Sequence, residues 1–203
     1  MPRVGHLVIG RLAGLALAGG ASRRLGGGDK PLLRIGDRSM LERVLAVLAA
    51  ETSAVAISAN GDPSRFAAFG RPVLPDGEFA GSGPLAGVLA GLDWAAGLDA
   101  EALLTVPGDT PFVRAGLAAA LSPAPACAES NGARQYLVAL WPVAVRSRLR
   151  SMLLAGGSRT VGRFAAEIGM RPIVFQTLPR DPFLNVNTPE ELAAARAVAE
   201  DTA

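Results

Sequence analysis

The most informative part of this sequence is residues 15–33, LALAGGASRRLGGGDKPLL. An apolar run leads into a loop with five glycines, and the loop also carries Arg23, Arg24, Asp29 and Lys30. A loop that only had to turn would need one or two glycines and no cluster of charge. The stretch therefore predicts a first buried strand followed by a loop that binds an anion, with a tight strand-to-helix turn bearing surface charges as the alternative.

The glycine loop has the chemistry of a phosphate site. Glycines let backbone N–H groups approach an anion closely and form a concave nest for it. Arg23, Arg24 and Lys30 add positive charge, and arginine can bind phosphate oxygens through two parallel hydrogen bonds. The loop is neither a P-loop, because Pro31 follows the lysine, nor a G-x-G-x-x-G dinucleotide fingerprint.

Composition limits the class of protein. The chain has 203 residues, 50% of them hydrophobic, which is enough for one domain with a sizeable core. A net charge of +2 gives no electrostatic case for nucleic acid or an acidic membrane as a partner. Lys30 is the one lysine among the 20 basic residues.

Several catalytic systems are excluded by residue counts. Cys127 and His6 are the one cysteine and the one histidine, so neither a disulfide framework nor a Cys/His metal cluster can form.

We predict that residues 1–11 are an N-terminal extension, that residues 12–203 form a single domain, and that the protein is cytoplasmic. No uncharged apolar segment reaches the roughly 18 residues that a membrane span requires.

Short apolar runs alternate with longer helical patterns along the chain. The pattern predicts strands over 13–18, 54–59, 72–74, 102–106, 124–129, 135–141 and 171–176. It predicts helices over 40–51, 63–69, 84–96, 143–154, 160–168 and 189–200, with Ser39 and Glu42 as a capping box and Thr188 as a cap. Alternation of this kind predicts an α/β fold with a mostly parallel sheet and helices on both faces.

Polar residues follow the ends of several predicted strands. Asn60, Asp109, and the pair Asn185 and Asn187 all stand there, and ligands of parallel sheets bind beyond the carboxyl ends of the strands. Asp109 suits a hard divalent cation that bridges to phosphates, or else it caps a helix after Pro111. In an extended segment Asn185 and Asn187 would share one face, whereas a turn with a helix cap is the alternative.

A second glycine-rich stretch, residues 81–87, enters the predicted helix 84–96. Its glycines would either admit a ligand ring or allow the helix to pack closely, and the residues alone do not choose between these. Asp76 stands just before this stretch, as a ligand contact or as a surface residue of the loop.

Five segments together resemble the molybdenum cofactor guanylyltransferases. They are LAGGASRRLGGGDK (17–30), LPDGEFAGSGPLAGVLAGL (74–92), LLTVPGDTPFV (103–113), GSRTV (157–161) and FLNVNTPEEL (183–192). Their order and spacing agree with that family over nearly the whole chain. The resemblance implies a Rossmann-like three-layer α/β/α sandwich of the nucleotide-diphospho-sugar transferase type.

The resemblance also implies a reaction and a set of site residues. In that reaction the terminal phosphate of molybdenum-loaded molybdopterin attacks the α-phosphorus of GTP, pyrophosphate leaves, and the guanine dinucleotide cofactor forms. It assigns catalysis to Arg24, Lys30 and Asp109, with Asp109 holding Mg²⁺. It assigns the nucleotide, bound by the N-terminal half, to Leu17, Ala18, Gly19, Gly20, Lys30, Asn60, Asp76 and Asp109. It assigns molybdopterin, bound by the C-terminal half, to Gly83, Gly87, Arg159, Asn185 and Asn187.

Two other functions compete with this one. Cytidylyltransferases that make the cytosine form of the cofactor typically have Leu-Ala-Ala-Gly, where residues 17–20 here are Leu-Ala-Gly-Gly, and the second glycine leaves more room for a purine. A non-catalytic carrier of nucleotide or cofactor would not need Lys30 and Asp109.

The resemblance further implies other cofactor-biosynthesis proteins and acceptor molybdoenzymes as partners. Gly108, where many relatives have cysteine, and residues 135–137, where some have His-Pro, depart from the family pattern.

Overall fold

The computed structural model describes residues 11–19, 29–156 and 159–200, with side chains to residue 197. The strands are β1 (Leu12–Leu17), β2 (Arg34–Ile35), β3 (Arg38–Ser39), β4 (Ala54–Ser58), β5 (Val73–Leu74), β6 (Ala102–Pro107), β7 (Ala126–Ser130), β8 (Ala133–Pro142) and β9 (Arg171–Val174). The helices are α1 (Met40–Glu51), α2 (Pro84–Ala96), α3 (Leu117–Leu121), α4 (Arg146–Ala155), α5 (Val161–Glu167) and α6 (Pro189–Glu200).

Seven of these strands form one sheet in the order β5-β4-β1-β6-β8-β7-β9. Neighbours are parallel except where β8 pairs antiparallel with β6 and β7. The exception follows from a two-residue turn at Asn131 and Gly132, which have φ values of 48° and 73°. An Asn-Gly pair with positive φ is the usual connection of a tight hairpin. The mostly parallel sheet predicted from the sequence is confirmed.

Apolar side chains cover both faces of this sheet. Alternate residues of β1 point to opposite sides: Ala13 and Leu15 pack with α2, α4 and α5, whereas Leu12 and Ala16 pack with α1 and α3. A strand buried on both faces reads as a continuous apolar run, which is why LAGLAL shows no alternation. The three-layer α/β/α sandwich predicted from the sequence is confirmed.

Glycines bring α2 close to the sheet. A Cβ atom at Gly91 would lie 2.5 Å from Leu15 Cδ2 and 2.8 Å from Leu103 Cδ2, and one at Gly87 would lie 2.4 Å from Ser58 Oγ. Real Cβ atoms do not approach other atoms so closely, so larger side chains would push the helix away. The amino end of α2 is thereby held at the carboxyl end of β4.

The sequence patterns missed two short elements near the sheet. One is the hairpin of β2 and β3, which packs through Ile35 against Leu192 and Ala195 of α6. The other is α3, whose first N–H groups, of Gly116 and Ala118, donate to the Glu51 carboxylate at 2.6 Å each. A five-residue helix leaves too short an apolar period to be recognised in a sequence. Among the residues that the model describes, no helix has the length and apolar character to cross a membrane.

Candidate functional site

A cavity of about 750 Å³ opens at the carboxyl ends of β1, β4 and β6. This is the end of a parallel sheet where ligands bind, because the strand-to-helix loops meet there. Ten of the predicted site residues line it: Leu17, Ala18, Gly19, Lys30, Asn60, Asp76, Gly83, Gly87, Asp109 and Asn185. Chain segments far apart in sequence therefore meet at one cavity.

Lys30 stands at the centre of the polar contacts. It begins a short 3-10 helix, Lys30–Leu32, with Pro31 at its first turn. Its ammonium forms an ion pair with Asp109 and donates a hydrogen bond to Asn187 Oδ1 at 2.6 Å. The side chains of Lys30 and Asp109 are only 14% and 22% exposed, so water screens this pair weakly. The contact joins the exit of the glycine loop to the end of β6 and to the asparagine segment.

Asp109 does not cap a helix. The residues after it form turns in which Thr110 donates to the Pro107 carbonyl through both its N–H and its hydroxyl group. The next helix, α3, begins only at Leu117 and has Gly116 as its N-cap. The alternative that assigned Asp109 to a helix cap is therefore wrong, and its carboxylate is available to the cavity.

The segment Asn185–Asn187 presents both amides to the site. Asn185 lines the cavity and Asn187 contacts Lys30, while Val186 between them is fully buried beside α6. Glu191 accepts hydrogen bonds from the N–H groups of Asn187 at 2.5 Å and Thr188 at 3.0 Å, and Glu191 N–H donates to Thr188 Oγ1 at 3.2 Å. This capping box confirms Thr188 as the cap of α6 and leaves the two asparagine side chains for the site. Asn185 Oδ1 is buried without a hydrogen-bond partner among the described residues.

Asn60 and Asp76 bind each other through two hydrogen bonds. Asn60 Nδ2 donates to Asp76 Oδ2 at 2.6 Å, and the Asp76 N–H donates to Asn60 Oδ1 at 2.9 Å. The pair forms because β4 and β5 are parallel neighbours, so that the residues after their carboxyl ends lie side by side. Both residues line the cavity on the side away from Asn185 along the sheet order.

Arg159 and the glycines before α2 form a further group. Arg159 Nη1 donates to Ser82 Oγ at 2.8 Å, which ties the segment before α5 to the loop between Gly81 and Gly83. Gly81 and Gly83 have φ values of 82° and 80°, a conformation that favours glycine, and both line the cavity. Arg159 Nε is buried with no hydrogen-bond partner among the described residues.

The sequence left two explanations for the glycines of residues 81–87, and each explanation applies to a different glycine. No described atom lies within 4 Å of a Cβ built on Gly83, so this glycine opens space toward the cavity. Gly87 lines the cavity too, but a Cβ there would collide with Ser58. Gly87 therefore serves close packing, and Gly83 serves backbone conformation and access.

Eight further residues line the cavity without having been assigned to the site from the sequence, although two of them, Asp29 and Gly81, belong to the two glycine-rich stretches. The eight are Asp29, Pro31, Ser58, Arg65, Gly81, Pro84, Pro107 and Leu137. Arg65 forms an ion pair with Asp29 and stands on a 3-10 helix, Pro63–Phe69, with no motif around it. Leu137 reaches the cavity because β8 runs antiparallel to β6, which a strand pattern does not reveal. Predicted residues Gly20 and Arg24, and also Arg23, lie outside the described residues.

Four of the five charged side chains that line the cavity among the described residues form ion pairs, and the fifth, Asp76, is held by Asn60. Among the described residues that line it, the cations are Lys30 and Arg65 and the anions are Asp29, Asp76 and Asp109. Adjacent residues Asp29 and Lys30 thus belong to two different ion pairs. The part of the chain that the structure describes holds no group of three or more His, Cys, Asp or Glu residues suited to a metal ion. A metal at this site would need oxygen atoms from its ligand or from water as well as from Asp109.

The chain matches a family of known proteins. The model of the MobA-like NTP transferase domain matches residues 14–168. A molybdenum cofactor guanylyltransferase from Acidiphilium cryptum is 54% identical over 186 residues, which cover 92% of this chain and 94% of the relative. One from Rhodobacter capsulatus is 50% identical over 188 residues, covering 91% and 95% of the two chains.

Solved structures share the fold. Molybdopterin-guanine dinucleotide biosynthesis protein A from Archaeoglobus fulgidus superimposes with a TM-score of 0.74 at 18% identity. The superposition covers 94% of this chain and 99% of that protein. At this level of identity the similarity shows the fold of the chain.

Proposed function

The chain belongs to the MobA-like NTP transferase family, and we propose that it transfers GMP from GTP to the terminal phosphate of molybdenum-loaded molybdopterin. The products are pyrophosphate and the molybdopterin guanine dinucleotide. The observation that carries this function is that Lys30 and Asp109 pair at the cavity, where Lys30 also contacts Asn187. Guanylyltransferase relatives that match over nine-tenths of the chain support guanine as the base.

The reaction requires positioning and charge neutralisation. A phosphate oxygen of molybdopterin forms a bond to the α-phosphorus of GTP, and the bond from that phosphorus to the bridging oxygen of pyrophosphate breaks. Because the attacking group is already an anion, no protein nucleophile is required, and Cys127 is buried in the core away from the cavity. Such transfers are accelerated by holding the reactants in line and offsetting the developing charge.

Lys30 is the cation that we assign to the triphosphate. It has three N–H donors on a flexible stem, so it can turn from Asp109 and Asn187 toward phosphate oxygens without a change of backbone. The charge that develops on the departing pyrophosphate is then met by an ammonium group held in a poorly solvated place. We assign the same role to Arg24 from the glycine loop.

We propose that Mg²⁺ is bound at Asp109. The described donors fit a hard cation, because the carboxylate of Asp109 and the amide oxygen of Asn187 both lie within reach of one atom, Lys30 Nζ. The remaining ligands would be phosphate oxygens and water, as is usual for Mg²⁺ with nucleotides. When bound, Mg²⁺ supplies charge neutralisation at the phosphates.

We assign the two substrates to the two halves of the chain. The nucleotide contacts Leu17, Ala18 and Gly19 at the end of β1 and the Asn60–Asp76 pair, with Gly20 from the glycine loop. Molybdopterin contacts Asn185, Asn187 and Arg159 on the other side, where Gly83 and Gly87 line the cavity between them. Asn185 Oδ1 is buried and has no partner among the described residues, which supports a polar ligand on this side, since a buried acceptor without a partner costs free energy. We expect the product to pass to other cofactor-biosynthesis proteins or to acceptor molybdoenzymes.

The test is turnover of purified protein with Mg²⁺ and molybdenum-loaded molybdopterin, comparing GTP with CTP. The proposal predicts pyrophosphate and a dinucleotide product with GTP in preference to CTP. Preference for CTP would overturn the base assignment and retain the reaction. Binding of nucleotide without any product would indicate a carrier.

A further inference from the structure

Arg65 is held by groups on several sides of its guanidinium. Its Nε donates to the Asp62 carbonyl at 2.9 Å, its Nη2 donates to the Asn60 carbonyl at 2.6 Å, and its Nη1 forms the ion pair with Asp29. Its guanidinium carbon also lies 5.0 Å from the centroid of the Phe66 ring. Each of the three nitrogens has a protein acceptor, which uses three of the five N–H donors, so this side chain acts as a brace between protein segments.

The backbone that carries Arg65 is itself held in place. Asp62 caps the 3-10 helix that carries Arg65, because its carboxylate accepts from the Ser64 N–H at 2.9 Å and from Ser64 Oγ at 2.6 Å. Phe66, the next residue, is fully buried in the core. The backbone of Arg65 therefore has little freedom. As a result, the guanidinium holds the residues that it contacts at fixed positions.

The brace joins two groups that we assign to the nucleotide. Asp29 directly precedes Lys30 at the exit of the glycine loop, and Asn60 holds Asp76 through two hydrogen bonds. Asp29, Arg65, Asn60 and Asp76 all line the cavity. A continuous series of polar contacts therefore runs from the triphosphate side of the cavity, at Lys30, to Asp76.

We propose that Arg65 is a positioning residue for the nucleotide, which keeps the Asp29–Lys30 segment and the Asn60–Asp76 pair at a fixed separation. The inference rests on the proposed function, in which a nucleoside triphosphate occupies this side of the cavity. Arg65 does not contact the reacting atoms. It lowers the cost of binding because the two halves of the nucleotide site are already in place.

A substitution at Arg65 removes a positive charge as well as the hydrogen bonds that join the two segments. The effect of the charge and the effect of the lost hydrogen bonds must therefore be separated. Without its guanidinium, the 23% exposed Asp29 carboxylate would face the cavity unpaired and repel a triphosphate. Arg65→Lys retains the positive charge but loses the planar fork that reaches three acceptors. The double variant Asp29→Asn/Arg65→Met restores the charge balance and also lacks the brace.

The experiment measures binding of Mg·GTP by calorimetry, without the pterin substrate. We expect Arg65→Met, Arg65→Lys and the double variant each to bind Mg·GTP about tenfold more weakly than the unchanged protein, as the loss of hydrogen bonds to charged groups predicts. Recovery of normal affinity in the lysine variant or in the double variant would overturn the proposal, because charge alone would then explain the effect. Normal affinity in Arg65→Met would overturn it as well.

Steady-state kinetics distinguish positioning from a general structural role. The KM for GTP should rise, while the KM for molybdopterin should not change. Arg71→Met is the matched control, because Arg71 is exposed and makes no hydrogen bond or ion pair with any other described residue. An equal rise in both KM values would overturn the proposal. If Arg65→Met does not fold, Arg65→Gln replaces it.

The choice of nucleotide separates this inference from the proposed function. If CTP binds in place of GTP, the base assignment fails, and the same comparison with CTP decides the role of Arg65. If the unchanged protein binds neither nucleotide, both proposals are overturned.

Discussion

The backbone N–H of Val186 donates a hydrogen bond to the backbone carbonyl of Asp109 at 3.1 Å. This bond fixes the Asn185–Asn187 segment directly beside the end of β6, although the two residues are far apart in the sequence. With Val186 buried beside α6, the flanking amides are held at the site. The arrangement of the candidate site thus depends on a backbone contact as well as on its polar side chains.

Replacing Lys30 should abolish most of the activity. Lys30→Met keeps an unbranched apolar stem, one atom shorter than that of lysine, and removes the charge that contacts Asp109 and Asn187. We expect kcat to fall by about 10²- to 10³-fold, as for other groups that stabilise a developing charge. The measurement is release of pyrophosphate with GTP and molybdopterin. Arg38→Met, at an exposed position that does not line the cavity, is the control, and a full rate in Lys30→Met would contradict the assignment.

Asp109→Asn should remove metal-dependent turnover and leave the fold intact. The amide has the shape of the carboxylate but lacks its charge, and among the described residues the Asp109 side chain forms an ion pair with Lys30 alone. Mn²⁺ binding, followed by electron paramagnetic resonance with GTP present, should be lost together with turnover. Asp37→Asn, at a 79% exposed position, should behave like the unchanged protein. Normal Mg²⁺-dependent turnover in Asp109→Asn would remove Asp109 from the mechanism.

Gly87→Ala should destabilise the fold by about 1–3 kcal/mol, as overpacking does. The new Cβ atom would lie 2.4 Å from Ser58 Oγ but 3.4 Å from Ser58 Cβ. Combining it with Ser58→Ala should therefore restore much of the stability, which urea unfolding measures. Gly19→Ala is the control, since its Cβ would find its nearest described atom at 3.8 Å. A single Gly87→Ala variant as stable as the unchanged protein would contradict the packing role of Gly87.

The capping box of α1 should make stability depend on pH. The Glu42 carboxylate accepts from the Ser39 N–H at 2.5 Å, and hydrogen bonds from the backbone and side chain of Ser39 lower the pKa of Glu42. A lowered pKa means that the stabilisation is present above the unfolded-state value, about 4.3, and is lost as pH falls through the folded-state value.

The matching variant is Glu42→Gln, compared with the unchanged protein by urea unfolding from pH 7 to pH 3. The difference in the free energy of unfolding should be largest near neutral pH and should shrink as the pH falls below about 4. Glu101→Gln, at an exposed position outside any capping box, should show no such difference. A difference for Glu42→Gln that does not change with pH would contradict the role of its charge.

Much of the fold was predictable because its signals are local. The buried β1 is a continuous apolar run, α1 carries its capping box at Ser39 and Glu42, and α2 begins at Pro84. Each of these depends on residues within a few positions of one another. The short α3 and the β2–β3 hairpin were missed, because their stability comes from Glu51 and from α6, which are distant in the sequence.

Local features of the sequence were enough to predict the α/β class, the mostly parallel sheet, and the set of polar residues that follow strand ends. Periodicity, capping residues and glycine clusters are local properties, and the carboxyl ends of parallel strands must share one edge. Three relationships became visible in the folded chain alone: Lys30 contacts both Asp109 and Asn187, Gly87 packs against Ser58, and Arg65 joins Asp29 to Asn60. These contacts depend on how the loops approach one another in space, which no short stretch of sequence specifies.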